Sequence, residues 1–184
     1  MGLPKSRHIP RIVVDSKNPD IVYAAVLGNI YKPTNERGVY KSINGGKTWK
    51  RVLFVNTQAG AVELQIDPNN SRVLYASTWN VKRTPFSLSS GGKGSSLWKS
   101  IDSGNTWVNI SDNEGFAKGI LGIIGVTISP VNSDRVFAIV ENKDEGGIYR
   151  SENGGNTWEY VNSDRSLRQR AWYYSKIYAD TKDQ

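Results

Sequence analysis

The chain has 184 residues, 24 Lys and Arg against 17 Asp and Glu, and a formal charge of +7, a length that supports one sizeable core and would cramp two. The absence of cysteine excludes a disulfide framework and a thiolate metal site. No apolar run reaches the ~20 residues of a membrane helix, "MGLPKSRHIP" lacks the apolar centre of a signal peptide, and the excess of Lys and Arg comes with neither a recognition helix nor an RNA-binding motif, so it is read as a solubilising surface and no nucleic-acid partner is expected.

The first organised stretch, "RIVVDSKNPDIVYAAV" from Arg11, reads as strand, turn and strand: two β-rich runs joined by Asn, Pro and Asp. An irregular segment follows at 28–37, then a short strand "GVYKS" and the octapeptide "SINGGKTW" from Ser42. Gly46, Lys47 and Thr48 end like a nucleotide-binding loop, but that loop needs a glycine where Lys41 stands and a helix where "WKRVLFV" continues as a β-former. The octapeptide is therefore predicted to be the bend of a hairpin.

The same order returns twice. "ELQIDPNNSRVLYAST" from Glu63 leads through an irregular segment, 78–95, to "SLWKS" and "SIDSGNTW"; "GVTISPVNSDRVFAIV" from Gly125 leads through "ENKDEG" to "GIYRS" and "SENGGNTW". After "SDRSLRQRAWYY" at 163–174, a fourth copy begins at "KIYADTKDQ" and stops within its unit. A four-stranded meander recurring every ~50–60 residues predicts an all-β fold, a β-propeller fragment of three four-stranded antiparallel blades plus the first strand of a fourth. The units are 11–55, 62–111 and 126–162, with an incomplete one at 175–184, in one domain over 1–184. Tandem β-sandwiches would need about seven strands each. Propellers close with about four to eight blades, so the open sides imply either a longer chain or a homo-oligomer, a dimer completing the ring.

The octapeptides share Ser42, Asn44, Gly46, Thr48 and Trp49; Ser100, Asp102, Gly104, Thr106 and Trp107; and Ser151, Asn153, Gly155, Thr157 and Trp158. Each group is satisfied within the turn itself. The Asp or Asn side chain holds turn N–H groups, Gly supplies positive φ, the hydroxyls pin the arms, and Trp ties the hairpin to the core. They are predicted to be structural, since repetition argues against catalysis. These octapeptides resemble the Asp-box, S-x-D-x-G-x-T-W, of the bacterial neuraminidase repeat. The chain as a whole resembles the propeller of bacterial sortilin-like proteins, often labelled glycosyl hydrolases, through "NPDIVYAA", "ERGVYKS", "GGKTW", "LYAS" and "LRQRAWYYSKIY". Asn44 and Asn153 depart from the Asp of the pattern. The resemblance implies a scaffold binding protein or carbohydrate ligands, with a glycoside hydrolase module as the alternative, and a bacterial extracytoplasmic setting.

In a meander blade, the octapeptides and Asn-Pro turns share one face, and the irregular segments gather on the other. That second face is where a ligand is expected. Tyr31, Trp79, Arg83, Phe86, Arg168, Arg170, Trp172 and Tyr173 suit contact with a carbohydrate or extended peptide; the same residues also suit gap-filling between blades and ion pairs with nearby carboxylates. Glycoside hydrolysis needs two facing carboxylates, and Glu36, Glu63 and Glu141 are the candidates, although no spacing singles out a pair. "RHIP" at 7–10 interrupts the Arg-Ile-Pro of sialidases, and His8, the one histidine, has no nucleophile motif beside it. No metal site and no cofactor are expected.

Overall fold

The computed structural model describes residues 2–183. The first sheet is built from β1 (Arg11–Val14), β2 (Val22–Val26), β3 (Gly38–Ser42) and β4 (Lys50–Leu53) in that order. The second contains β5 (Ala59–Ile66), β6 (Leu74–Arg83), β7 (Leu88–Ser90), β8 (Ser96–Ser100) and β9 (Val108–Asn109), with β7 paired to the outer part of β6. The third is β10 (Leu121–Ile128), β11 (Val136–Asn142), β12 (Gly147–Ser151) and β13 (Glu159–Asn162). All three are antiparallel meanders, as the recurring hairpins imply. The inner strands β5 and β10 start a few residues before the expected unit boundaries.

The sheets pack face against face. Tyr23, Ala25, Val39 and Leu53 of the first meet Ala61, Leu64, Leu74 and Ala76 of the second, while Tyr75 and Leu97 of the second meet Ile124, Val126, Val136 and Ala138 of the third. All five residues of β2, "VYAAV", are buried, because a strand covered on both faces needs an unbroken apolar run. Full burial of side chains such as Leu64 and Leu74 stabilises the stack by about 1.5–3 kcal/mol each.

Each octapeptide closes on itself. The Ser42 hydroxyl accepts from Gly46 N at 2.8 Å, Asn44 Oδ1 accepts from Thr48 N at 2.9 Å, and Trp49 Nε1 donates to Gly46 O at 2.9 Å. Ser100, Asp102, Thr106 and Trp107 repeat the set, as do Ser151, Asn153 and Thr157. Trp158 differs: it is buried against Phe116, and its indole N–H has no partner among the described residues. Gly45 N, Ser103 N and Gly154 N donate to Asp20 O, Arg72 O and Asp134 O in the preceding turns, so octapeptides and Asn-rich turns do share one face.

That face also fastens sheet to sheet. Tyr23 and Lys41 of the first sheet donate to Ser103 O of the second at 2.9 and 2.8 Å. Tyr75 and Lys99 of the second repeat the grip on Gly154 O of the third, at 2.9 and 2.6 Å. Burial pushes the Tyr23 phenol up to about 12, with Asp15 and Asp102 adding to it, and lowers the Lys99 ammonium. Burial raises the Tyr75 phenol as well, so both tyrosines remain protonated donors across the ordinary pH range.

Two segments depart from expectation. Residues 78–95 are not irregular throughout: β6 runs on to Arg83 and turns back as β7, with Thr84 N donating to Ser87 O at 2.8 Å and Thr84 Oγ1 accepting from Ser87 N at 2.9 Å. The Thr-Pro-Phe-Ser tip supplies the turn. Residues 175–183, expected to open a fourth blade, form no strand, and Gln184 lies outside the described residues. An inner strand here is held by the next strand of its own sheet, and no strand among the described residues pairs with this segment. Instead Ser175 is buried against Gly125 of β10, whose missing Cβ makes the approach possible.

Candidate binding crevice on the loop face

The segment 165–174 folds over β11 of the third sheet and forms a crevice with Glu141, which the β6–β7 hairpin borders through Ser90 and Arg83. After β13 the chain forms a 3-10 turn, Arg165–Arg168, and a single helical turn, Ala171–Tyr174; the Asp164 side chain accepts from Ser166 N and starts the turn. This segment carries Arg168, Arg170, Trp172 and Tyr173 to the rim of a cavity of about 310 Å3 that also includes Glu141. Arg83, at the end of β6, reaches over to the Tyr173 hydroxyl at 3.4 Å.

Glu141 anchors the crevice from β11. Its Oε2 accepts from Ile123 N at 2.9 Å and from the Ser90 hydroxyl at 2.6 Å, and its Oε1 accepts from Trp172 Nε1 at 2.6 Å. The carboxylate fits because β10 is irregular between Leu121 and Ile124 and because residue 122 is glycine, where a Cβ would collide with Glu141 Oε2. Ser90 in turn accepts from Trp79 Nε1 at 2.8 Å. One carboxylate thus couples β7, β10 and the C-terminal segment. Arg168 is set against Gly146, where a Cβ would collide with its guanidinium, and its Nε has no hydrogen-bond partner among the described residues.

Four of the expected contact residues line the crevice, Arg168, Arg170, Trp172 and Tyr173, and Arg83 touches it through the Tyr173 hydroxyl. Trp79 does not join them as a contact surface. It is 5 % exposed and packs with Leu27, Val62 and Val81, because the hairpin extension covers its ring. Phe86 stands at the hairpin tip, 98 % exposed, and Tyr31 lies exposed on the 28–37 loop; neither lines the crevice.

The three carboxylate candidates are separated by environment. Glu63 is 3 % exposed and is held by Arg11 Nε at 3.2 Å and Lys176 Nζ at 2.6 Å. Buried between two cations, it joins the first sheet, the second sheet and the C-terminal segment, and it does not line the crevice. Glu36 lines a different cavity, with Thr34 and Lys32. Among the described residues, Glu141 is the one carboxylate lining the crevice. His8 receives a place as well: its Nδ1 lies 2.9 Å from Gly28 O and fixes the N-terminal segment to the first sheet. No group of three or more metal-ligating side chains occurs among the described residues. Ser90 and Gly122 escaped the sequence reading, since a lone serine and a lone glycine carry no signal until the strands place them beside Glu141.

Three propeller blades in meander order define the fold, and solved structures share it. An ancestral GH74 enzyme superposes with a TM-score of 0.64 at 16 % identity, covering 90 % of this chain and 20 % of its own; the GH74 xyloglucanase from Xanthomonas campestris gives 0.61 at 19 % identity, covering 88 % and 23 %. Among curated proteins, the xyloglucanase Xgh74A of Acetivibrio thermocellus is 28 % identical over 179 residues, with 83 % of this chain and 20 % of that protein covered. The xyloglucanase of Hypocrea jecorina is 28 % identical over 184 residues, with 83 % and 20 % covered. The chain thus spans about a fifth of the length of the curated relatives it matches. No family model matches it.

Proposed function

We propose that this chain is a propeller module of a glycoside hydrolase that grips a polysaccharide of the xyloglucan type along its loop face, the reacting carboxylates lying partly outside the chain. The observation that carries this is the meeting of Trp172, Tyr173, Arg168 and Arg170 with Glu141 in one crevice, with Arg83 reaching the Tyr173 hydroxyl from outside it. Sugar rings present C–H faces that stack on Trp and Tyr, and their hydroxyls pair with guanidinium and carboxylate groups. The xyloglucanase relatives favour a hydrolase module over the non-catalytic scaffold expected from sequence. The three octapeptides support the finer placement among sortilin-like Asp-box propellers.

Hydrolysis at this crevice would need a second carboxylate at about 5–5.5 Å for retention or about 6.5–9.5 Å for inversion, and among the described residues Glu141 is the one carboxylate lining it. This crevice is accordingly assigned binding, with cleavage left to carboxylates that the rest of the propeller completes. Affinity electrophoresis in gels containing xyloglucan tests it, with a reducing-end assay alongside. Retardation that Trp172→Ala and Arg168→Ala abolish, without new reducing ends, is the expected result. Absence of retardation by xyloglucan sinks the proposal, and turnover lost in Glu141→Gln would place the chemistry within this chain.

A further inference from the structure

The other side of the β6–β7 hairpin faces a second cavity, of about 240 Å3, between the first and second sheets. Lys82 and Ser89 are ladder partners on the hairpin and both line it, together with Lys32, Pro33, Arg37 and Gln58. Three of these side chains are cationic and none is a carboxylate.

Arg37 is the unusual member. It is 1 % exposed, the largest fully buried side chain of the protein, and no carboxylate pairs with it among the described residues. Its Nη1 donates to Gln58 O at 2.5 Å and its Nη2 to Asn29 O at 2.6 Å, whereas Nε has no partner. The neighbouring Thr34 hydroxyl is also buried without one. Gly28 makes the space: a Cβ there would lie 2.7 Å from Arg37 Cγ and 3.0 Å from Thr34 Oγ1. Buried guanidinium groups are normally neutralised by a carboxylate, since neutral carbonyls satisfy the N–H groups but leave the charge uncompensated. Burial lowers the Arg37 pKa, yet a guanidinium keeps its proton throughout the ordinary pH range. A permanent positive charge therefore remains below a cavity whose rim adds two more.

We propose that this cavity is an oxyanion site, taking a carboxylate, sulfate or phosphate group either as a free ion or as a substituent of a sugar. The anion would neutralise Arg37 from the cavity side while Lys32 and Lys82, both exposed, close over it as mobile point charges. Charge-assisted hydrogen bonds of this kind are about twice as strong as neutral ones. The site is separate from the Trp172 crevice and does not depend on the polysaccharide-binding proposal.

The whole chain is titrated with glucuronate, inorganic sulfate, inorganic phosphate and neutral glucose, followed by calorimetry and by amide shifts at Lys32, Gln58, Lys82 and Ser89. At least one oxyanion is expected to bind saturably while glucose does not. Binding of glucuronate alone identifies an acidic sugar as the source; binding of sulfate or phosphate identifies a free oxyanion. The double variant Lys32→Gln/Lys82→Gln, which leaves the buried Arg37 in place, is expected to weaken binding by about tenfold or more without lowering the melting temperature measured in the absence of anion. The site is refuted if none of the three anions binds, if glucose binds as well as they do, or if the double variant binds unchanged.

Discussion

Asp102 accepts from the Thr106 hydroxyl at 2.6 Å, whereas Asn44 and Asn153 donate to the Thr48 and Thr157 hydroxyls at 2.8 Å. The turn accepts both because threonine can reverse its role, so the two asparagines keep the geometry and remove a titrating group. The Thr106 hydroxyl and N–H hold the Asp102 carboxyl down, from its ordinary 3.8 to about 2. A depressed carboxyl contributes stability that is present above its unfolded pKa and is lost as pH falls through the folded one. Melting temperatures of the chain and of Asp102→Asn should therefore converge as the pH is lowered from about 5 to about 2; a constant difference would show that the carboxylate charge is irrelevant to the turn. The same bend contains Ser103 at φ 61°, where the other copies have Gly45 and Gly154 at 65° and 67°. Left-handed backbone costs a non-glycine residue about 1–2 kcal/mol, and glycine returns about 0.4–1 kcal/mol through its freer unfolded chain. Residue 103 is held through its backbone, the N–H by Arg72 O and the carbonyl by Tyr23 and Lys41, so Ser103→Gly is expected to stabilise the protein by about 0.5–1 kcal/mol in chemical denaturation.

Between elements, the position of the C-terminal segment rests on a glycine in another sheet. Gly122→Ala would push Glu141 off Ile123 N, and with it the Ser90 and Trp172 bonds. Since the group displaced is the far end of a flexible side chain, the fold should survive with a loss of about 1–3 kcal/mol. Trypsin should then cut faster at Arg165, Arg168 and Arg170, and tryptophan emission should shift to the red as Trp172 is released. Unaltered cleavage there would mean that Glu141 is not the tether. This dependence was invisible in the sequence, which announced hairpins through local chemistry: Asn-Pro turns, alternating apolar runs and repeated octapeptides all satisfy themselves within a few residues. The β6–β7 extension is not legible in the sequence because its turn, closed by Thr84 and Ser87, lacks Gly or Asn. The strand expected at 175–184 was read from "KIYAD", whose pattern matches "RIVVD", but a pattern pairs only where a neighbouring strand accepts it. Site residues were legible as types, Trp and Arg in irregular segments, while their company was not: Trp79 and Trp172 look alike in sequence, and only the hairpin covering one of them makes it core.

Across the whole molecule, sheet follows sheet through one repeated fastening, and it changes at the third sheet. Tyr23 pairs across the ladder with Lys41, and Tyr75 with Lys99, and each pair holds the octapeptide carbonyl of the next sheet. The corresponding ladder pair in the third sheet is Phe137 and Arg150. Phenylalanine has no hydroxyl to donate, and Arg150 is engaged by Glu152 and Glu159 at 3.1 and 2.7 Å. A second copy adding its first sheet to this side, as ring closure by a dimer requires, would therefore meet no counterpart of the Tyr–Lys grip. Apolar contact would have to drive such closure, and a net hydrogen bond missing from it is worth about 0.5–1.5 kcal/mol. Sedimentation velocity at micromolar concentrations is expected to show weak, concentration-dependent association of the chain alone, strengthened in Phe137→Tyr because the phenol restores a donor. If both proteins sediment as monomers at every concentration, self-closure is eliminated and the open sides await other blades. If both associate equally, the copies meet through a surface other than this one.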